Sequence, residues 1–180
     1  MKAVFLDRDG VINRDRDDYV KNVRELKIFP QSPTAIARLT DAGWPVFVVS
    51  NQQGIAKGLI SEEDLQEMQA EITRQVSAAG GSITAFYYCK HLDAENCGCR
   101  KPQPGLLLQA ARENDIELAE SIMIGDSERD IAAGKRAGCK TILVLTGKLT
   151  REDAGDLEFV PDYIAEDLAE AADYIVSQYD

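Results

Sequence analysis

The sequence predicts an α/β protein: a doubly wound, Rossmann-like, mostly parallel sheet with helices on both faces. Three observations predict it. Short apolar runs alternate with amphipathic stretches of helical period. Each run is almost continuously apolar, as strands covered on both faces are. Polar residues of unusual type stand directly after several runs, at the strand ends where open α/β sheets bind ligands.

Taken in order, Lys2–Leu6 is the first strand and stops abruptly at Asp7-Arg8-Asp9-Gly10. Ser32 is expected to cap a helix with Pro33 in its first turn, Ile36 and Leu39 on one face and Gly43 at its end. Val46–Ser50 is the second strand. Ser61 then precedes Glu62, Glu63 and Asp64, acids that suit a positive helix start, and Leu65, Met68, Ile72 and Val76 form an apolar stripe closed by Gly80 and Gly81. Ala85–Cys89 is the third strand, and Pro104 opens a third helix. Ile122–Gly125 is the fourth strand, followed by a helix from Ser127 to Gly138. Thr141–Leu145 is the fifth. Tyr163–Ile164 adds an edge, and Leu168–Val176 forms a C-terminal helix. The intervals after the first and third strands are too short for a separately folded cap. No repeat, low-complexity tract or linker interrupts the chain, so residues 1–180 read as a single domain.

Composition narrows the partners. Hydrophobic residues make up 44% and charged residues 28%, ordinary for a globular chain long enough to bury a full core. No apolar run reaches bilayer length, and the N-terminus has no basic segment followed by a long apolar stretch. The expectation is a cytoplasmic monomer, in a compartment where clustered cysteines bind metal more often than they pair. A formal net charge of -11 repels nucleic acid and anionic membranes, so neither is an expected partner. It also repels phosphate esters, so any phosphate site must be locally cationic.

Asp7 and Asp9 are close enough to repel, which separates their protonation states and lets them take different roles. An acidic solvated turn or a calcium loop is the plainer alternative. The second strand runs into Ser50-Asn51-Gln52-Gln53-Gly54, the fourth into Asp126-Ser127 with Asp130 one turn on, and Arg100-Lys101-Pro102 lies between them. Singly, Ser50 and Asn51 cap turns, Asp126 is a helix-start acid and Lys101 is a solvated lysine. In a parallel sheet all of them project to one edge, where together they meet the needs of phosphoryl transfer. A carboxylate nucleophile and a phosphoryl group are both negative, so a divalent cation must sit between them. Asp7, Asp126 and a backbone carbonyl near Asp9 offer hard oxygen ligands that suit Mg²⁺. A hydroxyl, an amide and a lysine would hold the phosphate oxygens, leaving the second acid free to move protons.

Cys89-Lys90-His91 and Cys97-Gly98-Cys99 place three thiols and an imidazole within eleven residues. That donor set matches a closed tetrahedral Zn²⁺ site, tighter than the usual CxxC spacing. A reduced, metal-free loop is the alternative. The loop runs directly into Arg100-Lys101, so zinc there would stiffen a stretch that offers two cations to the crevice. Cys139 stands apart before an apolar strand and reads as a small core residue.

The quartet Asp7-x-Asp9, Ser50-Asn51, Lys101 and Gly125-Asp126-x3-Asp130 resembles the haloacid dehalogenase-like phosphatases, over residues 2 to 147. The resemblance implies a capless member of that superfamily. It implies Asp7 as nucleophile, Asp9 as general acid/base, and Mg²⁺ on Asp7, the Asp9 carbonyl and Asp126, with Asp130 in support. Ser50, Asn51 and Lys101 would bind the transferred group. The Cys–His loop feeding Arg100-Lys101-Pro102 is similar to one subset of the family, acting on a heptose 1,7-bisphosphate at its 7-phosphate or on histidinol phosphate. The run Asn51–Gly58 and the stretch Lys101-Pro102-Gln103-Pro104-Gly105 resemble the heptose group, whose members often carry lysine where this chain has Ser127. The expected partner is thus a small phosphorylated metabolite. Arg100, Gln53 and Lys57 are further candidates for holding it, Arg100 and Lys57 as positive charge for a second phosphate. The acidic segment Asp15–Asp18 would instead suit the amine of histidinol phosphate. A receiver-type signalling domain, which accepts phosphate and holds it, is the reading from another class.

Overall fold

The computed structural model describes residues 1–179. Six strands, β1 (Val4–Leu6), β2 (Val46–Asn51), β3 (Ala85–Cys89), β4 (Ile122–Gly125), β5 (Lys140–Val144) and β6 (Tyr163–Ala165), form one sheet in the order β3-β2-β1-β4-β5-β6. Every ladder is parallel. The chain steps outward from β1 to β3, then returns to the other side of β1 and steps outward again to β6. That reversal opens a crevice beyond the carboxyl ends of the central strands. Register decides what reaches it. Leu6 pairs with both Val48 and Ile124, so the residues following each strand emerge side by side.

Five helices cover the two faces: α1 (Ser32–Asp41), α2 (Glu62–Ala78), α3 (Gly105–Asn114), α4 (Glu128–Ala137) and α5 (Leu168–Tyr179). Alternate strand residues point to opposite faces. Val4, Leu6, Val46, Val48, Ile122 and Ile124 therefore pack with α1, α2 and α5, whereas Phe5, Phe47, Val49 and Met123 pack with α3 and α4. The expected stripe of α2, Leu65, Met68, Ile72 and Val76, is buried in full, and the Ser61 hydroxyl accepts the Asp64 N–H at 3.0 Å. Cys139 is a buried free thiol, as expected.

Several boundaries differ from the sequence reading. β1 begins at Val4: the Ala3 N–H donates to the Ser121 hydroxyl at 3.1 Å instead of to a strand carbonyl, and the Lys2 ammonium lies 2.9 Å from the Tyr179 carbonyl and over the Trp44 ring. β2 gains Asn51 at its end, β5 shifts back by one residue, and α5 runs on to Tyr179. Ser32 does not cap α1: Gln31 takes that position without a side-chain bond, and the Ser32 hydroxyl donates to the Val11 carbonyl at 3.2 Å. A tertiary partner outcompetes the local one. Among the described residues no folded cap stands over the crevice. The excursion after β1 holds two isolated bridges, Asp9 with Asn13 and Asn13 with Ile28, and the one after β3 a single 3₁₀ turn, Asp93–Glu95.

Candidate active site

The crevice is a cavity of about 390 Å³ at the carboxyl edge of the sheet. Asp7, Asp9, Ser50, Asn51, Gln53, Arg100, Lys101, Asp126 and Asp130 all line it. Four stretches far apart in sequence thus meet where the strand register delivers them.

At its floor, Lys101 is buried and carries three contacts: 2.9 Å to Asp7 Oδ1, 2.6 Å to Asp130 Oδ1, and a donation to the Val49 carbonyl at 2.8 Å. Burial alone would drive such an ammonium to shed its proton. The flanking Asp130 and Asp7 carboxylates reverse that and raise its pKa above the usual lysine range. Asp130 is committed on its other oxygen as well, where Oδ2 accepts the Ser127 backbone N–H at 3.1 Å and the Ser127 hydroxyl at 2.6 Å. Although buried, its pKa falls below the usual value because Lys101 and these donors stabilise the anion.

Asp7 and Asp126 behave oppositely. Burial, partly offset by Lys101 and reinforced by Asp130 and Asp9, lifts Asp7 to about 7. Burial with Asp130 and Asp7 nearby lifts Asp126 to about 9. Oxygens of Asp7, Asp126 and Asp130 lie within 4.8 Å of one another. Three carboxylates, two of them buried, against one ammonium leave an excess of negative charge that a divalent cation relieves, and an all-oxygen donor set suits Mg²⁺. Asp126 is confined by its neighbours. A Cβ placed on Gly10, whose φ is +89°, would stand 2.2 Å from Asp126 Oδ2, so this turn requires glycine both for its handedness and for clearance.

Asp9 stands at the same rim with its carboxylate held by four donor atoms. Arg8, wholly buried, reaches Oδ1 from Nε at 3.1 Å and Nη2 at 2.9 Å, and Oδ2 from Nη2 at 3.1 Å. Asn13 donates to Oδ1 and Gln52 to Oδ2, each at 2.9 Å. Asn51 lines the crevice and is also tied to the segment that bears the lysine. Its Nδ2 donates to the Lys101 carbonyl and its Oδ1 accepts the Lys101 N–H, both at 3.0 Å. The side chain imitates a strand neighbour and fastens the lysine-bearing segment to the end of β2, which engages one of its two amide hydrogens.

Lys57 does not line the crevice. Its ammonium lies 2.7 Å from the Tyr19 hydroxyl, which also accepts from Gln53 at 2.8 Å. Tyr19, a rim residue with a φ of 68°, is the functional candidate missing from the sequence reading. The Lys57 and Gln53 hydrogen bonds lower its phenol pKa. Arg100 reaches the rim while its Nε stays on Asp93 Oδ1 at 3.1 Å.

Beside the crevice, Cys89, His91, Cys97 and Cys99 bring four donor atoms within 4.8 Å of one another. Sulfur–sulfur separations of 3.2–3.5 Å exclude disulfides. His91 Nδ1 lies 3.5 Å from Cys89 Sγ and 3.2 Å from Cys99 Sγ. Such edges approach those of a tetrahedron built on Zn–S bonds of about 2.3 Å, and the cluster could hold zinc. Gly98 ties this loop onward, its carbonyl accepting the Gly105 N–H at 3.0 Å at the start of α3.

A parallel sheet that gathers paired aspartates, a buried lysine and a further carboxylate at its reversal point defines an aspartate-based phosphohydrolase site, and the chain belongs to the haloacid dehalogenase-like hydrolase family. The HAD-hydrolase-like family model matches residues 98–171. A D-glycero-beta-D-manno-heptose-1,7-bisphosphate 7-phosphatase of Bordetella bronchiseptica is 39% identical over 180 residues, 99% of each chain. One from Neisseria meningitidis is 46% identical over 148 residues, 82% of this chain and 79% of that protein. Among solved structures, the B. bronchiseptica D,D-heptose 1,7-bisphosphate phosphatase complexed with magnesium and phosphate is similar with a TM-score of 0.92 at 38% identity, covering 99% of both chains. That of Burkholderia thailandensis has a TM-score of 0.75 at 32% identity, covering 99% of this chain and all of that one.

Proposed function

We propose that the protein hydrolyses D-glycero-D-manno-heptose 1,7-bisphosphate at its 7-phosphate. The observation that carries the chemistry is Asp7 beside the buried Lys101 at the sheet reversal, with Asp9 two residues further on. The substrate rests on relatives of that activity matching nearly the whole chain.

The roles follow from position. Asp7 attacks phosphorus through a carboxylate oxygen, forming an aspartyl-phosphate as the bond to the ester oxygen breaks, and Asp9 gives its proton to that departing oxygen. Water then attacks the aspartyl-phosphate, Asp9 takes the water's proton, and the bond from phosphorus to Asp7 breaks to release inorganic phosphate and restore both acids. Ser50 and Lys101 hold phosphoryl oxygens, Asn51 holds Lys101 in place, and Arg100 supplies positive charge at the rim. Gln53 and Lys57 act on the substrate through Tyr19. Mg²⁺, when bound by Asp7, Asp126 and the Asp9 carbonyl with Asp130 in support, supplies the positive charge that lets one anion approach another.

The same reading takes residues 1–180 as a single domain working as a cytoplasmic monomer. One sheet carries every strand, and four unpaired thiols suit a reducing compartment. No helix of residues 1–179 is long and apolar enough to cross a membrane. Histidinol phosphate is the second reading, favoured by Asp15 and Asp17 at the mouth of the crevice, where they would face an amine. A receiver-type domain loses its ground, since the relatives are phosphatases.

Measuring kcat/KM side by side on the α and β heptose bisphosphates, fructose 1,6-bisphosphate and histidinol phosphate tests the assignment. A heptose anomer is expected to lead by at least about tenfold, roughly 1.4 kcal/mol of differential binding in the transition state. Preference for histidinol phosphate would overturn it. For the Cys–His loop, we expect zinc removal by chelation, followed by resupply of Mg²⁺, to raise KM by roughly 3- to 10-fold through loosening of Arg100 and Lys101. Unchanged KM and kcat in a demonstrably zinc-free protein would refute that stiffening role.

A further inference from the structure

Gln52 has no part in the roles above, yet it is 3% exposed and both hydrogens of its amide are engaged in the crevice. Its Nε2 donates to Ser50 Oγ at 2.8 Å and to Asp9 Oδ2 at 2.9 Å. The backbone fixes where this amide sits: the Gln52 N–H donates to the Cys89 carbonyl at 2.7 Å, continuing the β2–β3 ladder by one rung. The side chain is therefore anchored to the sheet and not to a free loop.

Two consequences follow. Because Ser50 Oγ accepts a hydrogen from Gln52, its own hydroxyl hydrogen is free to point into the crevice, where a phosphoryl oxygen would receive it. The second concerns Asp9. Arg8 and Asn13 hold its carboxylate from within the same loop, one and four residues away, whereas Gln52 holds it from just beyond the end of β2, 43 residues away. The first two fix Asp9 within its loop. Gln52 fixes that loop relative to the phosphate-binding end of β2.

We propose that Gln52 is a positioning residue: its amide ties the proton-transferring carboxylate of Asp9 to the phosphoryl-binding hydroxyl of Ser50, holding the acid in register with the ester oxygen. The inference rests on the roles proposed for Asp9 and Ser50. It predicts a loss that depends on the leaving group, because only an alkoxide needs the proton of Asp9. The p-nitrophenolate ion departs without one.

The test uses the holoenzyme with both metals and measures phosphoenzyme formation by rapid quench, with heptose 1,7-bisphosphate and with p-nitrophenyl phosphate. Gln52→Met keeps the length of the side chain and removes both donors. It is expected to slow phosphoryl transfer from the sugar ester by roughly 10- to 100-fold, and from the nitrophenyl ester by less than about threefold. Gln52→Glu, which keeps the shape but has no N–H, is expected to show the same skew and decides the matter if Gln52→Met fails to fold. Equal slowing on both esters, or none on either, overturns the proposal. Asp9→Asn is run in parallel and is expected to show a larger skew. If Asp9→Asn is skewed and the Gln52 variants are not, Gln52 alone loses its role. If Asp9→Asn shows no skew, the proton-transfer role of Asp9 fails, and the present inference with it.

Discussion

Asp7→Asn is expected to lower kcat by roughly 10⁴-fold or more while leaving the fold intact, because the amide cannot attack phosphorus and no neighbouring group can replace it. Lys101 keeps Asp130 at 2.6 Å and the Val49 carbonyl at 2.8 Å, so the floor of the crevice survives the substitution. Stability should move the other way from activity. Without Mg²⁺, the Asp7 carboxylate titrates near 7 in the folded chain because burial penalises its charge, against the ordinary 3.8. Below pH 3.8 both states hold the proton and the penalty is absent. Between about 4 and 7 the unfolded chain ionises first, so the wild type loses stability as pH rises, and above 7 the loss levels off. The metal-free Asp7→Asn protein should thus melt above the metal-free wild type at pH 8, by on the order of 2–4 kcal/mol, with the gap closing toward pH 4. Melting curves at the two pH values, together with turnover, check both parts. Residual activity above about one per cent of wild type, or a gap that widens toward acid, would count against Asp7 as a buried nucleophile.

Lys101→Met is expected to damage both activity and stability. The ammonium is 2% exposed and stands between two carboxylates, so in the metal-free protein its removal leaves Asp7 and Asp130 facing each other without a cation. Breaking such a buried pair costs about 3–5 kcal/mol, a fall of roughly 6–20 °C in Tm for a chain of this size. The ion pair with Asp130 has a defined pH window. Asp130 titrates below its ordinary 3.8 and Lys101 above its ordinary 10.5, so the contribution is present between those values. It is lost in acid as Asp130 protonates and in alkali as Lys101 deprotonates. Lys101→Arg should not rescue, because the planar guanidinium needs a wider slot and a different donor geometry. The double variant Lys101→Met/Asp130→Asn should recover much of the melting temperature and none of the turnover. Recovery of activity in the double variant would remove Lys101 from the phosphoryl site.

The parts of this architecture visible in sequence are those with a local signature. Val46–Val49 and Ile122–Ile124 read as buried strands because both faces are covered, which erases any polar alternation. Asp7 and Asp126 are legible because each follows such a run directly, and the four zinc-type donors because they fall within eleven residues. What could not be read are contacts whose partners lie far apart. Tyr19 meets Gln53 across 34 residues and Lys57 across 38, with no periodicity to announce it. Asn51 is legible as a polar residue at a strand end, but its bond to the backbone of a segment 50 residues on is not. Ser32 carries the right side chain for a cap, and the fold diverts it to a carbonyl 21 residues upstream. In each case composition gives the donor or acceptor, and only the three-dimensional path gives its partner.

Gly10 and Gly147 press on Asp126 from two separate loops, and a methyl group on Gly147 would stand 2.0 Å from the same oxygen that one on Gly10 would meet. The carboxylate is aimed by bare backbone on either flank. Two of the positions most intolerant of change around this oxygen accordingly bear no side chain at all, and a search for active groups would pass over both. Variation at these two loop positions is thereby closed off, since even a methyl group at either would displace the acid from its place.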